Sequence, residues 1–272
     1  MKSKFSVLMS IYNKENPLYF SECLESIQQQ TLNPNEIVIV QDGPLSKSLV
    51  NIIKTYKNKL PIKLVKLKHN VGLANALNEG LKYCSYEYVV RVDTDDINLP
   101  NRFKRNILFL DKGYVLVGSN IEEFSNDSHN IFKIVPSQKQ EIKKFCRYRN
   151  PFNHMTVAFR KSVIIKYGSY SDEIPFKEDY LLWIKLISSN EKICNIDEVL
   201  VKARFDSKSL HRRSGFRYAL SEVLLQKKLY ISGISNLNHA LIYGSLRFLS
   251  YLLPLFIKKL IYRIFLRRGL SE

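Results

Sequence analysis

The chain has 272 residues, 45% hydrophobic and 12% aromatic, with only 10 Gly and 9 Pro; this composition excludes disorder and predicts a packed core. A formal net charge of +17 points to nucleic acid, an anionic membrane surface or phosphorylated substrates, or to a solvated basic face. Cys23, Cys84, Cys146 and Cys194 form no Cys-x-x-Cys pair and the five histidines lack metal-ligand spacing. Neither a disulfide framework nor a zinc site is therefore expected, and free thiols fit a reducing cytosol.

At the N-terminus Lys2 and Lys4 precede the apolar run Phe5 to Ile11. The run is short, has no small-x-small cleavage site and passes straight into Tyr12-Asn13-Lys14, so it reads as a first core strand and not a signal peptide. No stretch reaches the roughly 18 uncharged apolar residues a membrane span needs. Strands are predicted at Phe5–Ser10, Glu36–Gln41, Lys63–Leu67 and Tyr88–Val92, and helices at Leu18–Gln30, Ser46–Lys57, Leu73–Tyr83 and Pro100–Asp111. Asn16-Pro17 supplies a cap and a first-turn proline for the first helix. Strands alternating with helices of this length predict an α/β fold with a mainly parallel sheet. Ligands in such sheets bind beyond the carboxyl ends of the strands. The polar clusters Tyr12-Asn13, Asp42-Gly43 and Asp93-Thr94-Asp95-Asp96 all fall there. Tyr114 to Tyr170 reads as strands and loops with a helix near Gln140–Tyr148, another helix starts near Glu178, and from Gly215 the pattern is helical and basic.

Arg91-Val92-Asp93-Thr94-Asp95-Asp96 is the strongest local signal. Three carboxylates in four residues repel one another and are best tolerated beside a cation. Hard divalent ions such as Mn2+ or Mg2+ prefer oxygen ligands and are often shared with substrate phosphates; the competing reading is a solvated acidic turn. Asp42 lies on the same predicted rim, although Asp-Gly is also a common turn pair. Glu178-Asp179 opens an amphipathic helix, either as dipole complementation or as a general base at the mouth of a pocket.

Ser6-Val7-Leu8-Met9-Ser10-Ile11-Tyr12-Asn13, Val40-Gln41-Asp42-Gly43, Asn70-Val71-Gly72-Leu73, Asp93-Thr94-Asp95-Asp96 and Glu178-Asp179 occur in the order of family 2 inverting glycosyltransferases, which the chain resembles from about Phe5 to Gly215. The segment from Asn150 to Lys161 resembles the subgroup that builds O-antigen, capsule and exopolysaccharide units. The resemblance implies a GT-A fold: a Rossmann-like, mostly parallel sheet flanked by helices, in a domain at 1–215 with a helical C-terminal extension at 216–272. It also implies a nucleotide-sugar donor, UDP-glucose or UDP-galactose, and an undecaprenyl-diphosphate-linked saccharide as acceptor. By the same resemblance Ser10, Tyr12 and Asn13 lie against the donor, with Tyr12 stacked on its base. Asp42 accepts from the uracil imide, Asp93 contacts the ribose, Asp95 binds Mn2+ or Mg2+, and Asp179 deprotonates the acceptor. Gln41 stands where many relatives have a second acid. Asn75 and Ala76 stand where relatives often carry a cation, so Arg212 and Arg213 either meet the diphosphate instead or form an exposed basic loop.

Between Leu246 and Arg268 large apolar residues interleave with Arg247, Lys258, Lys259, Arg263, Arg267 and Arg268. On a helix after Pro254, Ile257, Leu260, Ile261 and Ile264 share one face and Lys259, Arg263 and Arg267 another, the pattern of a helix lying in an anionic membrane surface or packed on the core. The expected location is peripheral, on the cytoplasmic face of the bacterial inner membrane. Sugar-nucleotide pyrophosphorylases share a similar sheet but carry a Gly-rich, basic loop after strand one, which Tyr12-Asn13-Lys14-Glu15 is not. A phosphatase using Asp-x-Asp carries that pair after its first strand, not its fourth. A basic nucleic-acid binder would need a recognised motif, and none is present, so no nucleic-acid partner is expected.

Overall fold

The computed structural model describes residues 3–125, 128–205 and 215–253. β1 (Phe5–Ile11) and β2 (Glu36–Gln41) are near-continuous apolar runs, as befits strands covered on both faces. Their side chains divide by parity. Phe5, Val7, Met9, Ile11, Ile37 and Ile39 point into one apolar layer, and Leu8, Val38 and Val40 into the opposite one. The first layer is closed by α1 (Pro17–Gln28), α2 (Lys47–Lys57) and α4 (Arg102–Asp111) through Phe20, Leu24, Leu49, Ile53, Phe103 and Ile107. The second is closed by α3 (Leu73–Tyr83), α5 (Lys139–Phe145), α6 (Lys161–Lys166) and α7 (Glu178–Ile187) through Leu77, Leu81, Ile142, Ile164, Leu182 and Trp183.

Local chemistry starts the helices as expected. Asn16 Oδ1 accepts the Leu18 amide at 2.9 Å with Pro17 in the first turn, and Ser46 Oγ accepts the Leu49 amide at 3.4 Å. α3 packs so closely on the sheet that a Cβ at Gly80 would stand 2.5 Å from Leu8 Cδ1 and 2.6 Å from Val40 Cγ2.

β3 (Ile62–Lys66), β4 (Tyr88–Arg91), β5 (Ile97–Asn98), β6 (Leu116–Ser125), β7 (Ser128–Lys133), β8 (Ala158–Arg160) and β9 (Ile193–Arg204) complete a nine-stranded sheet ordered β3-β2-β1-β4-β8-β6-β9-β5, with β7 paired to β6. β1 to β4 are mutually parallel, as is β6 with β9. β8 runs antiparallel to both β4 and β6, a reversal that the expectation of a mainly parallel sheet did not include. It is entered, after α5, through a one-turn 3-10 helix at His154–Thr156. Its amino end therefore lies beside the carboxyl end of β4, where the Arg91 amide bonds Val157 O at 2.9 Å. That reversal brings His154 to the rim carrying the Asp-rich turn. Beyond β9, α8 (Phe216–Ile231) and α9 (Leu237–Leu252) form a helical hairpin, and Leu225 and Leu229 of α8 join the same apolar cluster as Trp183.

Candidate active site

The acidic turn after β4 is built on buried cations. Arg91, 1% exposed, pairs with Asp93 and donates to Val92 O. Beneath it Arg102, fully buried in the first turn of α4, donates to Asn98 Oδ1 and to the carbonyls of Arg91 and Met155. Burial pushes the Arg102 guanidinium down to about 9, against the upward pull of Asp96. Asp96 accepts the Arg204 amide at 2.9 Å through Oδ1, while its Oδ2 is buried without a partner. Arg204 also reaches Asp95 O at 3.2 Å, pairs with Glu22, and lies over the rings of Tyr19 and Phe124 at 3.8 and 4.6 Å. Burial first, and then Asp93, raise the Asp95 carboxyl to about 6; burial, Asp95 and Asp93 raise Asp96 well above the ordinary carboxylate range.

Such crowding has a chemical meaning. Carboxylates that resist ionising together, one with an orphaned buried oxygen, suit an added divalent cation. No group of three or more His, Cys, Asp or Glu able to hold a metal occurs among the described residues. A lone carboxylate such as Asp95 suits an ion that completes its shell with phosphate oxygens and water, as Mg2+ commonly does.

Asp42, 4% exposed, follows β2 and faces the Asn70–Gly72 loop, accepting the Val71 amide at 2.7 Å and the Gly72 amide at 3.2 Å on its two oxygens. Gly43 beside it has φ +84, and a Cβ there would stand 2.8 Å from the Asn70 nitrogen. Gln41 Nε2 bonds Gly43 O at 3.1 Å. Asp42 thus organises the loop before α3, a task its Asp-Gly spacing alone did not indicate. Ser10 pairs in register with Val40, and Tyr12 and Asn13 follow at the end of β1, Tyr12 part-buried and Asn13 exposed. The ends of β1, β2 and β4 consequently form one polar rim.

The remaining acidic residue comes from the first turn of α7. Asp179 accepts Asn150 Nδ2 at 2.6 Å on Oδ2 and the Tyr180 amide at 2.7 Å on Oδ1. His154 Nε2 lies 3.2 Å from the Tyr170 hydroxyl, with its ring against Trp183. Burial, reinforced by Arg91, lowers its pKa, while Asp179 and Asp93 both pull the other way. Asp93 of the acidic turn and Asp179 therefore both lie near one buried imidazole. A cleft of about 150 Å3 opens between Val71–Asn75 and Asp172–Glu178, and Asn75 Nδ2 spans it to Asp172 Oδ2 at 3.2 Å. Asn150, Arg102 and Arg204 had no assigned role in the sequence reading. Arg102 and Arg204 meet the acidic turn only through the fold, whereas a single arginine inside the apolar run Val89-Val90-Arg91-Val92 is a signal of burial that sequence alone could have used. Arg212 and Arg213 lie outside the described residues.

Residues 6–168 match the family model described as glycosyl transferase family 2. The chain belongs to this family. The glycosyltransferase AmsE of amylovoran biosynthesis from Erwinia amylovora is 40% identical over 260 residues, covering 95% of this chain and 97% of its own. An Escherichia coli protein named UDP-Gal:alpha-D-GlcNAc-diphosphoundecaprenol beta-1,3-galactosyltransferase is 40% identical over 271 residues, 98% of each chain. Among solved structures, the mannosyltransferase PcManGT from Pyrobaculum calidifontis in complex with GDP-Man and Mn2+ aligns with a TM-score of 0.66 at 16% identity, covering 91% of this chain and 74% of that one. The chain is therefore a family 2 glycosyltransferase with the GT-A fold, and one of these relatives is named for amylovoran biosynthesis. In this glycosyltransferase the family match spans Ser10, Tyr12, Asn13, Asp42, Asp93 and Asp95 and ends before Glu178-Asp179, whereas the two relatives extend across both.

Proposed function

We propose that this glycosyltransferase moves a hexose from a UDP-hexose, UDP-glucose or UDP-galactose, to a hydroxyl of a saccharide carried on undecaprenyl diphosphate, with inversion at the anomeric carbon. The observation that carries the reading is the crowded Asp93–Asp96 turn at the end of β4, where Asp96 keeps a buried oxygen without a partner, with Asp93 and Asp179 both near the buried His154. One acidic group serves the donor and the other serves the acceptor. The relative named for galactose transfer to a diphosphoundecaprenol-linked GlcNAc supports the substrate classes.

On this reading Tyr12 stacks on the uracil, with Ser10 and Asn13 beside it. Asp42, whose two oxygens keep lone pairs beyond the Val71 and Gly72 amides, accepts from the base, and Asp93 holds the ribose. Asp95 holds Mn2+ or Mg2+, which when bound neutralises charge on the departing diphosphate. Arg212 and Arg213 suit the same phosphates. Asp179, oriented by Asn150, takes the acceptor hydroxyl proton. The freed oxygen bonds the anomeric carbon as the bond from that carbon to the diphosphate oxygen breaks, and UDP leaves. A base within hydrogen-bond reach on the face opposite the leaving group gives inversion.

The acceptor class places the enzyme at the cytoplasmic face of the inner membrane, and the hairpin supports this. No helix among the described residues is long and apolar enough to cross a membrane. The exposed positions of α9, however, include Leu237, Leu241, Ile242, Leu246, Leu249 and Leu252, each 45% exposed or more. The exposed face of α9 carries no charge, because its remaining exposed residues are Asn238 and Ser245. A contiguous apolar face of this kind marks an interaction surface, and an anionic bilayer also suits the net charge of +17. Replacing Asp179 by Asn tests the base role. Transfer should fall by on the order of 10²–10⁴, the usual contribution of a positioned base, with donor affinity retained; weakened donor binding at unchanged turnover would refute it.

A further inference from the structure

Lys177 stands where electrostatics disfavours a cation. It is the N-cap residue of α7, at the positive end of the helix dipole, and it is 5% exposed. Its ammonium lies 2.8 Å from Glu222 Oε2 and 3.4 Å from the Tyr218 hydroxyl, over the Tyr218 ring at 4.5 Å. Glu222 of α8, 1% exposed, also accepts Arg247 Nε of α9 at 3.2 Å. The preceding residue, Phe176, holds φ +66, a conformation rare for a bulky side chain, with its ring 5.3 Å from Tyr218. The hairpin therefore grips two successive residues at the mouth of α7. Asp179 follows within the same first turn, which is closed by Leu181 N bonding Lys177 O at 2.9 Å.

Buried ion networks add little net stability, since apolar groups of equal volume often serve as well. Strain that persists beside a functional residue points instead to geometry being held. We infer that Glu222 is a positioning residue for sugar transfer: acting through Lys177, it sets the first turn of α7 and thereby the Asp179 carboxylate. The C-terminal hairpin is then part of the acceptor half of the enzyme. The inference rests on the base role of Asp179.

Steady-state kinetics on the full-length Glu222→Gln variant test it. Turnover should fall about 10–100-fold, as displacement of a catalytic group by an ångström can cost, with the donor KM within about twofold of wild type. If Glu222→Gln misfolds, the apolar set Lys177→Met, Glu222→Leu and Arg247→Met removes the whole network without stranding a buried charge. Its unfolding should stay cooperative while its turnover remains low. Because Glu222 acts through Asp179, adding Glu222→Gln to Asp179→Asn should slow the enzyme no further. Wild-type turnover in Glu222→Gln or in the apolar set, or losses that multiply in the double variant, would overturn the inference. Wild-type turnover in Asp179→Asn would remove the base role itself and this inference with it; a slow Asp179→Asn beside a fully active Glu222→Gln would remove the inference alone.

Discussion

At the scale of single residues, carboxylates that burial first, and then one another's charge, keep from ionising dominate the site. Burial and Asp93 lift Asp95 to about 6, and Asp96 keeps an unpartnered buried oxygen. Asp95→Asn keeps size and shape but removes one charge and one ligand, so transfer should drop by on the order of 10²–10³, like the loss of other groups preorganised at developing charge. Titrating Mn2+ or Mg2+ against activity should show saturation beginning at much higher metal in this variant, and an unaltered metal curve would exclude Asp95 as ligand. The acidic turn was legible in the sequence because charge repulsion within four residues is a local fact. The arginines around it were not. Arg102 reaches the turn from the next helix, and Arg204 from 108 residues beyond Asp96; nothing in local spacing reports a partner that only the sheet brings near. Asp42 was legible as a rim residue, but its bonds to the Val71 and Gly72 amides depend on a loop 29 residues away.

At the scale of elements, alternation of apolar strands and capped helices made β1 to β4 and α1 to α4 readable to within about two residues at each end. Hydrophobic periodicity and caps are properties of contiguous sequence. β8 escaped, because three residues carry no periodicity and strand direction depends on the connection. With it escaped the approach of His154 to the Asp-rich turn. The N-terminus of α7 was legible as an acidic helix start, whereas its clamp by Glu222 was not, since α8 reads only as a basic helix. The clamp has a pH signature. Burial alone would raise the Glu222 carboxyl, but Lys177 and Arg247 pull it below its ordinary value of 4.5. A carboxyl depressed in the folded state contributes stability that is complete above its unfolded value and lost as pH falls through the folded one. Unfolding free energy measured by denaturant titration should therefore decline below about pH 4.5 more steeply in wild type than in Glu222→Gln, which cannot titrate there. Parallel declines would show that Glu222 is ionised equally in both states.

At the scale of the whole molecule, the charge of +17 was visible at once but its use was ambiguous. The sequence placed the membrane stripe mainly after Pro254, which lies outside the described residues. The structure adds the apolar face of α9, which periodicity did not single out because it is seen only once α8 and the core cover the other side. Vesicle co-sedimentation should show binding that strengthens with anionic lipid, weakens with salt, and drops when Leu241, Ile242, Leu246 and Leu249 are replaced together by Ser. Each basic residue near such a surface contributes about 1 kcal/mol. Binding that ignores both lipid charge and the Ser set would assign this face to another partner. The central claim, hexose transfer with inversion onto a lipid-diphosphate saccharide, is tested most directly by one measurement. The full-length enzyme is incubated with Mn2+, UDP-galactose or UDP-glucose and a GlcNAc-diphosphate-lipid analogue, and the anomeric proton coupling of the product is read by NMR. The account predicts a new β-linked hexose from the α-linked donor; an α-linkage, or no transfer from either donor, would contradict it.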